Sequence, residues 1–255
     1  MRVPRLGRPC FAAGLIGLGL LGLAFGDFPP WQPVPAWVPA RTALAYLVAA
    51  AELVLGGGLL WTRVRAPVSR VVCAFLLAWW VLLDVPRVVA KPLVEGSWLA
   101  AGEIATLVAA GWVLLGAARG RGDAGARGPR LLLGLALIPI GLSHFSYLQD
   151  AAGMVPGWLP HRTGWAVLAG LGHIAAGLGI LAGVLPRLAA AMETGMITLF
   201  TLLVWLPAVV ATPHDHMAWS EVLVSWFIGT AVWVVADAYD DVAWTARGRS
   251  PFLRS

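Results

Sequence analysis

The fold class predicted from this sequence is all-α: a polytopic membrane protein of about eight transmembrane helices, arranged as two parallel four-helix repeats. Three observations point there. Apolar runs of about 17–25 residues, each able to cross a hydrocarbon core of roughly 30 Å, recur along the whole chain. Arginines gather in alternate turns between those runs. A block of 84 positions resembles a second block 121 residues further on.

The composition excludes an ordinary soluble protein. Hydrophobic residues make up 59% of the chain and charged residues 12%, with a mean hydropathy of +0.79. A soluble domain carries roughly 25% charged residues to cover its surface. The runs fall at residues 10–26, 42–61, 71–90, 98–117, 131–148, 165–184, 188–211 and 221–239.

A net charge of +5 would suit nucleic acid, but its distribution points to topology instead. With eight spans, the N-terminus, the turns near 62–70, 118–130 and 185–187, and the C-terminal tail share one side. That side holds 14 of the 18 Lys and Arg residues. The other side holds Arg41, Arg87, Lys91 and Arg162. The positive-inside rule makes the first side cytoplasmic, so both termini are expected in the cytoplasm of a cell-membrane protein. The partner this implies is the lipid bilayer, with no nucleic acid. Residues 1–26 also resemble a signal peptide, with Ala24-Phe25-Gly26 as a small-x-small cleavage site. The repeat favours retention of that segment.

The repeat is carried by residues that chance seldom matches. Val34-Pro35-Ala36-Trp37-Val38-Pro39-Ala40-Arg41-Thr42 parallels Val155-Pro156-Gly157-Trp158-Leu159-Pro160-His161-Arg162-Thr163. The same interval pairs Gly56 and Gly58 with Gly177 and Gly179, Pro86 with Pro207, Trp98 with Trp219, and Trp112 with Trp233, giving 22 identities in the 84 positions. Each half then has one helix before the Val-Pro-x-Trp-x-Pro segment and three after it, and an even number makes the repeats parallel. The expected units are 1–117, a Gly/Arg-rich cytoplasmic linker at 118–130, a second unit at 131–239, and a tail at 240–255. Pro86 and Pro207 should kink or end their helices. The paired glycines should let helices approach closely.

These features resemble the DoxX-like family of small four-helix membrane proteins. The residues that carry the resemblance are Ser143-His144-Phe145, Val155-Pro156-Gly157-Trp158-Leu159-Pro160 and Gly170-Leu171-Gly172-His173-Ile174-Ala175-Ala176-Gly177 in the second half. In the first half Glu52-Leu53-Val54-Leu55-Gly56 follows a Glu-x-x-x-Gly pattern, whereas His173 stands where the family usually has Glu. The resemblance implies a quinone- or electron-handling subunit of a membrane redox system, with quinone as cofactor or substrate and a soluble or membrane redox partner. A small proton-coupled transporter and a membrane scaffold without catalysis remain as alternatives.

Ionisable residues inside a span are costly and usually functional or paired. Glu52 and His173 occupy equivalent depths, and Asp27 aligns with His144 once a four-residue insertion is allowed, so acid in one half twice faces His in the other. The expectation is a polar, proton-accepting site shared between the halves and formed by Glu52, His173, Asp27 and His144. Imidazoles titrate near neutral pH, and quinone reduction needs protons. Asp84, Arg87 and Glu103 lack charged counterparts and suggest one local network in which Arg87 bridges two acids. Arg41 and Arg162 are expected to meet an anion, a lipid headgroup or an acid such as Asp27 on the outer face. His214, His216 and Glu221 are weak metal candidates, since i, i+2 histidines in a loop are poorly specific.

Overall fold

In a computed structural model that describes residues 6–29, 32–120, 122–240 and 242–245, eight helices are long and apolar enough to cross a membrane. They are α1 (Gly7–Phe25), α2 (Arg41–Leu60), α3 (Arg65–Ala90), α4 (Glu95–Ala118), α5 (Gly122–Ser146), α6 (Arg162–Ala182), α7 (Pro186–Ala211) and α8 (His216–Asp237). A backbone in lipid has no water to bond, so each apolar run closes its own hydrogen-bond ladder. A short helix, Leu148–Met154, follows α5.

The ends of the helices follow local chemistry. Gly26 and Gly183 end α1 and α6 in the left-handed conformation, at φ of 66° and 67°. Ala40 and His161 precede α2 and α6 with φ of 52° and 55°, which is uncommon for residues with a Cβ. Within the stretch 118–130, read from the sequence as a linker, α5 is already helical from Gly122.

Pro86 and Pro207 do not end their helices. Each follows a five-residue π-helical turn, Trp80–Asp84 and Thr201–Trp205, after which the helix runs on to Ala90 and Ala211. Proline lacks an N–H and crowds the preceding turn, and the wider π turn accommodates that defect without a break. Other local geometries also recur 121 residues apart. Lys91 and Thr212 leave their helices at φ, ψ of −135°, 62° and −133°, 67°. Trp98 and Trp219 each donate Nε1–H, at 2.9 Å, to the carbonyls of Pro92 and Pro213.

Each helix packs on the next from α1 to α8, α8 closes on α1, and α4 meets α8 across the middle. The result is a figure-of-eight in section, with α4 and α8 as the wall between α1–α3 and α5–α7. Burial agrees: in the apolar 18-residue stretch of each helix, 67% of residues are buried in α4 and in α8, against 22% in α3 and in α7. Phe11 and Phe227 join α1 to α8 with ring centroids 4.5 Å apart. Close crossings rest on glycine. A Cβ on Gly56 would come within 2.8 Å of the Ala12 carbonyl on α1, and one on Gly177 within 2.7 Å of the Gly134 carbonyl on α5.

The Gly7 N–H donates to Asp237 Oδ2 at 3.1 Å, so the start of α1 and the end of α8 share one face, the basal face. The opposite face is the distal one. At the basal face Arg187 donates to the carbonyls of Asp240 and Val242 at 3.1 and 3.0 Å, and it lies 4.3 Å from the centroid of Trp244. The segment after α8 is thereby fastened beneath α7.

Candidate functional site

Helix α6 is a run of small and aliphatic residues in which His173 is the one ionisable side chain between Arg162 and Ala182. It lies about 16 Å from the distal end at ~1.5 Å per residue and is 2% exposed. Inside a span such a group needs a partner, and α7 supplies one. Glu193, 1% exposed, places Oε1 at 2.6 Å from His173 Nδ1. The contact is as short as a charge-assisted hydrogen bond. It holds whether a neutral imidazole N–H or an imidazolium donates to the carboxylate. Glu193 Oε2 is buried and has no hydrogen-bond partner among the described residues.

A second imidazole completes the cluster. The His144 ring centroid is 5.1 Å from that of His173, and both rings lie near Phe200, at 6.4 and 6.1 Å. His144 Nδ1 is 3.1 Å from the Ile140 carbonyl. A carbonyl only accepts, so Nδ1 carries the proton and Nε2 is left to accept another. His144 and Phe200 are half-buried at the edge of the bundle, while His173 and Glu193 are buried behind them. The arrangement can take a proton at the edge and hold it against a carboxylate inside. The π turn after Phe200 is fixed to α8 by Thr201 Oγ1 and Ser225 Oγ, 2.8 Å apart.

Of the four residues expected to share one site, the structure joins His144 to His173 and separates the other two. Glu52, 3% exposed, accepts from Gln32 Nε2 at 3.0 Å. Its helix α2 packs on α1 and α3, whereas α6 packs on α5 and α7. The expected interior shared between Glu52 and His173 is therefore replaced by two polar contacts on opposite sides of the α4–α8 wall. Equal depth along their spans does not by itself bring the two side chains together. Asp27 is also drawn elsewhere, to an ion pair with Arg41, whose guanidinium lies 5.3 Å from the centroid of the Phe28 ring.

Arg41 thus meets an acid at the N-terminus of its helix. Arg162 instead folds back on the Val-Pro-Gly-Trp segment, where a Cβ on Gly157 would come within 2.8 Å of Nη2. The anticipated bridge by Arg87 is half formed. Asp84 lies 3.7 Å away, and among the described residues Glu103 makes no ion pair with Arg87. His214, His216 and Glu221 do not assemble. His216 stacks on Phe25 at 4.3 Å, and Asp215 caps α8 by accepting from the Met217 N–H at 2.9 Å. Among the described residues no group of three His, Cys, Asp or Glu side chains is placed to hold a metal ion.

Three partners lay outside the sequence expectation: Glu193, Phe200 and Gln32. Glu193 carried a signal, being an acid within an apolar run, but Val72 stands at its counterpart position, so comparison of the halves passed over it. Gln32 lies in a loop and gives no sign that its side chain turns inward.

No curated protein and no solved structure matches the chain. The DoxX family model matches residues 128–206, a span that runs from α5 into α7 and contains His144, His173, Glu193 and Phe200. The chain carries a DoxX domain over residues 128–206.

Proposed function

We propose that this DoxX-domain protein is a quinone- or electron-handling subunit of a membrane redox system, with His144, His173 and Glu193 as its proton site. One observation carries the reading: a buried imidazole–carboxylate contact of 2.6 Å with a second imidazole 5.1 Å away, in the matched domain. A quinone reduced by two electrons takes two protons at its carbonyl oxygens and becomes a hydroquinone. The electrons come from a soluble or membrane redox partner. The protons pass through the two imidazoles, and Glu193 offsets the positive charge on His173 while it is protonated. The half-buried His144 and Phe200 are the side from which a bilayer-borne quinone would approach.

The geometries that recur at an interval of 121 residues support descent from a duplicated four-helix unit. Charge supports placing the basal face in the cytoplasm, since 14 of 18 cations belong to that side by the sequence count. A second reading, proton-coupled transport, is favoured by the separate Glu52–Gln32 contact in the first half. Binding separates the two. A short-chain quinone titrated into the purified protein in lipid nanodiscs should bind saturably, with affinity weakened about tenfold or more by His173→Asn and by Glu193→Gln. Glu52→Gln should leave it unchanged. Absence of saturable binding would remove the quinone reading.

A further inference from the structure

We propose that a cavity on the distal face of the first half binds one anionic phospholipid by its headgroup phosphate. The cavity, of about 490 Å³, lies between the distal end of α3, the start of α4 and the segment that follows α1. Arg87 lines it from the last turn of α3, and Lys91 lines it as the residue that caps the helix, its N–H donating to the Arg87 carbonyl at 2.9 Å. Leu82 and Leu83 supply apolar wall further along the same helix, and Pro33 and Pro35 close the opposite side. Leu82 is 70% exposed, which leaves the wall continuous with the surface that borders acyl chains.

Charge distinguishes this place from the rest of the distal face. Of the four distal cations, Arg41 is engaged by Asp27 and Arg162 is folded over Gly157. The other two line this cavity. Arg87 has Asp84 at 3.7 Å, and Lys91 has no ion-pair partner among the described residues. Arg87 and Lys91 are the charged residues among those that line the cavity, while the Asp84 and Glu95 carboxylates are buried behind its wall, so the lining itself presents cations to a phosphate diester.

The second half shows that the backbone does not require these cations. The π turn, the proline and the exit dihedrals recur 121 residues later, with Ala208 and Thr212 in place of Arg87 and Lys91. Asp215 stands where Val94 lines the cavity. Cations are favoured at a helix C-terminus in any case, yet α7 ends in the same geometry without them. The occupant is an amphiphile because the cations sit where a spanning helix reaches headgroup depth, above apolar wall that leads into the bilayer.

Native mass spectrometry of the delipidated protein with equal amounts of phosphatidylglycerol and phosphatidylcholine tests this. The expected result is one retained phosphatidylglycerol, preferred about fivefold or more, as one cation near a membrane surface provides. Lys91→Gln and the double variant Arg87→Gln/Lys91→Gln should abolish the preference, and so should Ala90→Trp, which fills the cavity and keeps both charges. Arg162→Gln should retain it. Equal retention of the two lipids would overturn the proposal. So would a loss of equal size in Arg162→Gln, which would mean general interfacial attraction, or full displacement by millimolar inorganic phosphate, which would mean a free-anion site. If the double variant fails to fold, Lys91→Gln and Ala90→Trp carry the decision.

Discussion

His173 on α6 and Glu193 on α7, 20 residues apart in sequence, meet through Nδ1 and Oε1 at 2.6 Å with both side chains buried. Removing either partner strands the other in a bundle that cannot hydrate it. Glu193→Gln keeps the shape and a hydrogen-bonding atom, whereas Glu193→Leu removes both and should cost about 1–3 kcal/mol of stability. Thermal unfolding in detergent should rank wild type above Glu193→Gln and Glu193→Gln above Glu193→Leu. The change from His173→Leu should not add to that of Glu193→Leu, because the two share one interaction.

The His173 imidazole should respond to Glu193 and not to Glu52. Glu52 is held by Gln32 in the other helix group. Nitrogen-15 NMR of the labelled imidazole should shift in Glu193→Gln and stay in place in Glu52→Gln. A shift in both would restore the coupling between halves that repeat symmetry alone suggests.

The eight spans were legible because apolar length and alternating basic turns are properties of single segments. Glu52 and His173 were legible as buried polar residues for the same reason. Their partners were not, because which helix lies beside which is fixed by tertiary packing. The interval of 121 residues drew attention to pairs at equal depth, while α4 and α8 stand between α2 and α6. The π turns were also hidden. Pro86 and Pro207 signal a defect in the helix, but whether the helix breaks or widens depends on the neighbours that hold its far end.

The glycine contacts predict a sharp contrast within one family of substitutions. Gly177→Val would push against the Gly134 carbonyl, at 2.7 Å from an added Cβ, whereas nothing lies within 4 Å of a Cβ on Gly57. Gly177→Val should destabilise by about 1–3 kcal/mol or more, and Gly57→Val should leave the melting temperature close to that of wild type. Comparable losses at both positions would mean that α5 and α6 do not cross at Gly177.

The left-handed residues before α2 and α6 predict the opposite sign. Ala40 and His161 adopt φ of 52° and 55°, a conformation that costs an L-residue roughly 1–2 kcal/mol. Ala40→Gly and His161→Gly should each raise the unfolding temperature, and Ala40→Val should lower it. A stabilising Ala40→Val would contradict the backbone described at this turn.

Topology reporters check the orientation inferred from charge. A reporter fused at the C-terminus or inserted after Gly120 should read cytoplasmic, and one inserted at Asp150 or Asp215 should read external. A cytoplasmic signal at Asp150 would contradict the eight-span arrangement.

The proposed proton site is tested most directly by redox-induced infrared difference spectroscopy of the protein loaded with a short-chain quinone. Reduction of the quinone should give imidazole and carboxyl bands that disappear in His173→Asn and Glu193→Gln and persist in Glu52→Gln. A difference spectrum unchanged by His173→Asn and Glu193→Gln would contradict the assignment of these two residues to proton handling.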